Sequence, residues 1–132
     1  VESSFARQIA EIEAGMRPPK MAVGNLDAIR DFLDVEDVLD AYLRLLDPKV
    51  PAGPYNVASG KGTSIRDLLD LLLAETSIRP EVEVDRARWR PADSVVGSAG
   101  RLEKATGWAS TIPLRETLRR LLDGWREALG TA

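Results

Sequence analysis

The stretch Val23 to Asp37, V-G-N-L-D-A-I-R-D-F-L-D-V-E-D, decides how the rest of the chain is read. Asn25 and Asp27 beside Gly24 predict a turn, because short polar side chains hydrogen-bond nearby backbone and glycine tolerates positive φ. Arg30 follows, expected on a loop between two ordered elements, a place suited to an anion. Phe32-Leu33-Asp34 then reads as a short extended piece entering a helix. Asp34 is its N-cap, and Asp37 sits at N3, where a carboxylate complements the helix dipole. From composition alone, Arg30 is first a partner for Asp27, Asp31 or Asp34, since surface ion pairs are common and weak.

On the N-terminal side, Phe5, Ala6, Ile9 and Ile12 recur at helical spacing, and Gly15 with Pro18-Pro19 supplies a stop. Ser4 to Ala14 is therefore an expected amphipathic helix, and Met21-Ala22-Val23 a short strand. On the C-terminal side, Val35, Val38, Leu39, Tyr42, Leu45 and Leu46 form a broad stripe on a helix that Asp47-Pro48 ends. Tyr42 on that stripe is expected in core packing. Tyr55 to Ala58, after the Pro/Gly loop Lys49 to Pro54, reads as a strand.

Ser64 with Asp67 forms a terminal box for a helix from Ile65 to Glu75. This helix is apolar on most sides and so expected to be buried on more than one face. Glu81 to Asp85 alternates and predicts a half-exposed strand. Arg86 to Pro91 is a basic loop, Arg101 to Thr106 a short helix closed by Gly107. Leu114, Leu118, Leu121, Leu122, Trp125 and Leu129 mark a last amphipathic helix begun near Pro113. The expectation is an α/β chain, helices with a few short strands.

At 132 residues, 44% hydrophobic and 30% charged, the chain suits one globular domain. Its net charge of −3 argues against wrapping nucleic acid, and no apolar run approaches membrane-spanning length. The absence of cysteine and histidine removes disulfides, thiolates and the commonest general base and metal ligand, so a self-contained hydrolase or zinc enzyme is not expected. With no initiator Met and no signal-like stretch, the chain is expected to be a fragment or a processed form rather than a full-length protein, and to be cytoplasmic.

Three motifs compete for function. Tyr55 to Asp85 mimics a dinucleotide-binding β-α-β unit, with Gly60-Lys61-Gly62 as its turn and Asp85 as ribose ligand. Ile65 stands at the third glycine position, where close packing wants a small residue, so a structural turn is the preferred reading. Ser59 to Thr63 resembles a phosphate loop, but glycine follows Lys61 where serine or threonine is required. Arg86, Arg88 and Arg90 with Trp89 read either as a solvated loop or as a small nucleic-acid footprint.

G-N-L-D-A-x-R-D-F-x-D-V-x-D-V at Gly24 to Val38 resembles the substrate-side segment of extended short-chain dehydrogenases/reductases of the NAD-dependent epimerase/dehydratase type. With Ser4 to Gly15, W-R-P-A-D at Trp89 to Asp93, T-G-W at Thr106 to Trp108 and the closing helix, nearly the whole chain is similar to the C-terminal portion of GDP-6-deoxy-D-mannose reductases. GDP-mannose 4,6-dehydratases are near neighbours. The resemblance implies that Arg30 and Arg90 clamp the nucleotide diphosphate and that Asp93 holds the ribose hydroxyls. Val1 and Ser4 would lie near the sugar or base, and the backbone around Met21 near the base. Ser4 stands where the dehydratases tend to carry lysine.

The chemistry suits those residue types, because a diphosphate wants a planar fork of donors and a vicinal diol wants an acceptor-only carboxylate. Relatives of this kind carry a glycine-rich cofactor motif and a Tyr-x-x-x-Lys pair. Tyr42 is followed four residues on by Leu46 and Tyr55 by Ser59, so neither supplies that pair. The resemblance thus implies a GDP-sugar-binding portion of an enzyme that uses NADP or NAD to reduce a C4 ketone. The cofactor and the catalytic residues are expected on a missing N-terminal domain, none of it binding here. Segment 34–58 is expected to pack on that domain's sheet, and the isolated chain to self-associate. The C-terminal part of a GDP-mannose 4,6-dehydratase or of another nucleotide-sugar epimerase/dehydratase, and a non-catalytic protein-interaction module, are the alternatives.

Overall fold

In the computed structural model, which describes residues 1–130, three helices turn their leucine and isoleucine stripes toward one another. These are α1 (Glu2–Glu13), α3 (Ile65–Leu73) and α5 (Leu114–Ala128), each packed on the other two. Ile9, Leu68, Leu72, Leu118 and Leu122 are fully buried there. Burying a side chain of this size contributes about 1.5–3 kcal/mol, which makes the triad the main source of stability. Both Leu68 and Leu69 are buried while Leu71 and Leu73 pack at the margin, so α3 is covered on more than one face as its composition predicts. Arg126 on α5 locks the bundle from outside, its Nε and Nη2 donating to the two oxygens of Glu13 at 2.8 and 2.7 Å.

Two small sheets sit above the bundle. In one, β1 (Lys20–Val23) runs parallel to β4 (Glu81–Val84), pairing Lys20 with Glu81 and Val23 with Val84. In the other, β2 (Ile29–Asp31) is central, antiparallel to β3 (Gly62–Ser64) and parallel to β5 (Ser94–Val95). Arg30 therefore lies within a strand, not on a loop. Three residues of mixed polarity carry too little periodicity to announce a strand whose partners are more than thirty positions away in sequence. Every residue of β4 is exposed, where alternation predicts one covered face, because β1 is its only strand neighbour among the described residues.

A second cluster gathers Ala41 of α2 (Val35–Leu45), Leu102 of α4 (Gly100–Thr106) and Trp108. The buried Trp108 donates its Nε1 hydrogen to the carbonyl of Asp37 at 2.9 Å. Asp37 in turn accepts from the backbone of Thr111 and Ile112, both at 3.1 Å to its Oδ2. The caps follow the sequence closely. Asp34 accepts from Glu36 N at 2.9 Å, Ser64 Oγ accepts from Asp67 N at 3.0 Å, and Gly107 closes α4 at φ 71°.

Two more expectations need correction. Tyr55 to Ala58 forms no strand, because it has no ladder partner among the described residues; Tyr55 instead donates its hydroxyl to Pro51 O. Tyr42 is 57% exposed rather than packed, and Val35, Leu39, Leu43 and Leu46 are exposed beside it. The apolar stripe of α2 faces outward because the small second cluster takes only its Asp37 and Ala41 side. Among the described residues, no helix is long and apolar enough to cross a membrane.

Candidate functional site

The first turn of α1, the end of β1, the turn after it and the loop 88–91 enclose a cleft of about 340 Å³. Local chemistry builds each wall. Asn25 makes the predicted turn, its Oδ1 accepting from Asp27 N at 2.9 Å, while its Nδ2 donates to Arg90 O at 3.0 Å and ties that turn to the basic loop. The loop itself is wound on Asp85, which accepts from Ala87 N at 2.9 Å and Arg88 Nε at 3.2 Å. Gly24 is required at this junction. A Cβ there would lie 2.6 Å from the Arg88 carbonyl oxygen, closer than any real side chain tolerates.

Of the residues singled out in the sequence, Val1, Ser4, Arg30 and Arg90 line this cleft together. Asp93 stands at its rim, where its carboxylate accepts from Arg30 Nη2 at 2.6 Å. Arg30 thus pairs with none of Asp27, Asp31 or Asp34. The Arg30 to Asp93 pair is exposed on both sides and contributes at most about 1 kcal/mol, so an incoming anion can compete for the arginine. Arg90 spends its Nη1 on the carbonyls of Ala87 and Trp89, at 3.1 and 2.7 Å. Met21 is apart from the cleft: its side chain is fully buried in the core, and the neighbouring Ala22 reaches the cleft in its place.

Sequence reasoning missed two residues. Arg88 lines the cleft and donates to Ser4 Oγ at 3.2 Å, although the sequence showed it only as one member of a basic loop. Gln8 is 4% exposed and grips both backbone groups of Ala22, donating to its carbonyl at 3.1 Å and accepting from its N–H at 2.8 Å. A polar residue on the buried stripe, between Phe5 and Ile12, was the available signal. The cleft therefore has three arginines and no carboxylate in its lining, within a chain of net charge −3. Its walls at Phe5, Ala22, Ala28, Ile65 and Pro91 are apolar.

Asp31 backs Arg30 from the other side of the strand. Its Oδ1 accepts from Ser59 N at 3.0 Å and from the Ser59 hydroxyl, its Oδ2 from Gly60 N at 3.0 Å and Gly97 N at 3.2 Å. Burial pushes its pKa up, but the Ser59 hydroxyl and the backbone N–H groups of Gly60, Ser59 and Gly97 outweigh it and hold the carboxyl below its usual value. The glycine-rich turn is thus anchored to β2. Gly62 lies in one sheet, Asp85 follows a strand of the other, and Tyr55 to Ala58 is not a strand, so no dinucleotide-binding β-α-β unit forms.

Short strands on a helical bundle recur in the Rossmann-type short-chain epimerases and reductases, which superimpose on this chain over nearly all its length. The chain belongs to the GDP-mannose 4,6 dehydratase family, whose model matches residues 1–121. It is 43% identical to the GDP-6-deoxy-D-mannose reductase of Pseudomonas aeruginosa over 127 residues, 95% of this chain and 42% of that protein. The solved structure of RMD from Pseudomonas aeruginosa complexed with NADPH superimposes with a TM-score of 0.89 at 41% identity, covering 97% of this chain and 42% of that one. UDP-arabinose 4-epimerase 1 of Arabidopsis thaliana is more distant, 30% identical over 74% of this chain and 23% of its own length. The chain thus spans less than half the length of the relatives it matches.

Proposed function

We propose that this chain is the substrate-binding part of an NAD(P)-dependent GDP-4-keto-6-deoxy-mannose reductase. The observation that carries the reading is the convergence of arginines on one carboxylate-free, apolar-walled cleft, and the 43% identity to a GDP-6-deoxy-D-mannose reductase supports the choice of nucleotide sugar. Arg30 and Arg90 hold the diphosphate from a strand and a facing loop, where two charge-assisted forks match two phosphate charges. Asp93 exchanges Arg30 for the ribose hydroxyls. Val1 and Ser4 lie beside the sugar or base, and the backbone around Met21 beside the base.

The glycine turn at Gly60 to Gly62 and the acid-ended strand before Asp85 do not join into a nicotinamide-cofactor motif, since they fall in separate sheets. Reduction of the ketone is therefore assigned to a cofactor domain in a longer polypeptide. Segment 34–58 packs on that domain's sheet, a placement supported by the outward apolar face of α2. A dehydratase reading is favoured by one observation, the description of the matching family.

Two measurements on the complete protein test these readings. A reductase consumes reduced nicotinamide cofactor when given GDP-4-keto-6-deoxy-mannose, whereas a dehydratase converts GDP-mannose with no net consumption. In calorimetric titration, Arg90→Ala should weaken GDP binding about ten- to a hundredfold, the loss of one charge-assisted contact. Unchanged affinity in that variant would remove Arg90 from the site. Binding of neither GDP nor UDP by the unmodified protein would leave a protein-interaction module as the better reading.

A further inference from the structure

We infer that Arg88 reads the guanine base, donating from its guanidinium fork to O6 and N7 and so setting the preference for GDP over other nucleoside diphosphates. The inference rests on the proposed reading of the cleft as a GDP site and assigns within it the group that selects the base. Guanine offers two kinds of edge. Its N1–H and N2 amino group are donors that a carboxylate reads, while O6 and N7 are acceptors that an arginine reads in parallel. No carboxylate lines this cleft, so recognition falls to donors.

Most donors in the cleft are already engaged. Asn25 spends its amide on Arg90 O and its carbonyl on Asp27 N. The N–H and carbonyl of Ala22, the backbone nearest the cleft on β1, are both taken by Gln8. Arg30 is fastened to the β2–β5 sheet through Asp93 and through the carbonyl of Ile29 at 2.8 Å. Arg88 differs. Its Nε is held by Asp85 at 3.2 Å and its Nη1 by Ser4 Oγ at 3.2 Å, while its Nη2 has no partner among the described residues.

That mounting fixes the fork without exhausting it. Asp85 also binds the backbone of the loop, and Ser4 Oγ is approached from behind by Gln8 Nε2 at 3.5 Å, so α1, β1 and the loop all bear on one guanidinium. Asp85 offsets the charge of Arg88, which suits a neutral base edge better than a phosphate. The apolar surfaces of Phe5 and Pro91 are at hand for the ring faces. Adenine presents an amino donor where guanine has O6, so the same fork meets a donor and rejects it. Ser4 is then a positioning residue, acting through Arg88.

The test is titration of GDP and ADP into the complete protein and its Arg88→Met, Arg88→Lys and Arg90→Ala variants. The ratio of the two dissociation constants is read, a quantity independent of the fraction folded. The unmodified protein should favour GDP, and Arg88→Met should cut that preference about ten- to a hundredfold, the discrimination expected of one bidentate base contact. Arg88→Lys should lose most of it as well, since a point charge cannot form the fork. Arg90→Ala should weaken both nucleotides alike. Equal weakening of GDP and ADP by Arg88→Met, an unchanged ratio, or no initial preference for GDP would overturn the assignment while leaving the cleft a diphosphate site. Failure of the unmodified protein to bind either nucleotide would overturn the inference and the GDP reading together.

Discussion

Replacing Asp31 by Asn keeps the shape of the side chain and removes one acceptor and the charge. In the native protein its two oxygens serve four donors: the N–H and hydroxyl of Ser59 on one, the N–H groups of Gly60 and Gly97 on the other. An asparagine satisfies one pair through its carbonyl and turns an amino group toward the other. Two bonds fall from charge-assisted to neutral and two donors lose their acceptor. At about 1 kcal/mol for each, discounted for partial exposure, the variant should be less stable by about 2–3 kcal/mol. In urea this lowers the unfolding midpoint by about 1–2 M.

The difference must also depend on pH with a definite sign. The folded-state pKa of Asp31 is depressed below its ordinary 3.8. Its contribution is therefore complete above that value and is lost as pH falls through the depressed one. The gap between the native protein and Asp31→Asn should narrow in that acid window and nowhere else. Asp34 has the same sign: burial raises its pKa, but Thr117, the backbone of Glu36 and Arg120 lower it further. Both proteins carry Asp34, so it supplies a common acid loss that cancels in the comparison. Coincident midpoints at neutral pH, or a gap that persists unchanged at low pH, would refute the idea that this carboxylate anchors the two loops.

Two further outcomes follow from the geometry. Gly24→Ala places a Cβ 2.6 Å from the Arg88 carbonyl oxygen, so the basic loop must retreat; GDP affinity in titration should fall about tenfold, with a urea midpoint within about 0.5 M of the native one. Unchanged GDP affinity would show that the loop's position is unimportant. The exposed apolar face of α2 should drive self-association of the isolated chain, which light scattering detects and which Leu39→Glu with Tyr42→Glu should abolish. A monodisperse native monomer would contradict this.

What could be read from the sequence was whatever its own neighbours determine. The caps at Asp34 and Ser64, the glycine stop at Gly107 and the stripes of α1, α3 and α5 are local matters, and each stands where the residues predict. What escaped depends on partners distant in the chain. The strand carrying Arg30 exists because Gly62 to Ser64 and Ser94 to Val95 come to either side of it, and the Tyr55 segment fails as a strand because nothing does. The acidic residues of the opening stretch show the same division. Asp31, Asp34 and Asp37 recur every three residues, and beyond the helix start that Asp34 and Asp37 announce, each ties β2 or α2 to a different later segment: Ser59 with Gly97, Thr117 with Arg120, and Thr111 with Ile112. Their carboxylates hold the scaffold, so none of the three remains to neutralise Arg30, and the arginine is left to Asp93 at the rim of the cleft. The cationic character of the site thus follows from the acids around it being occupied elsewhere, a fact that charge counting along the sequence has no means to reveal.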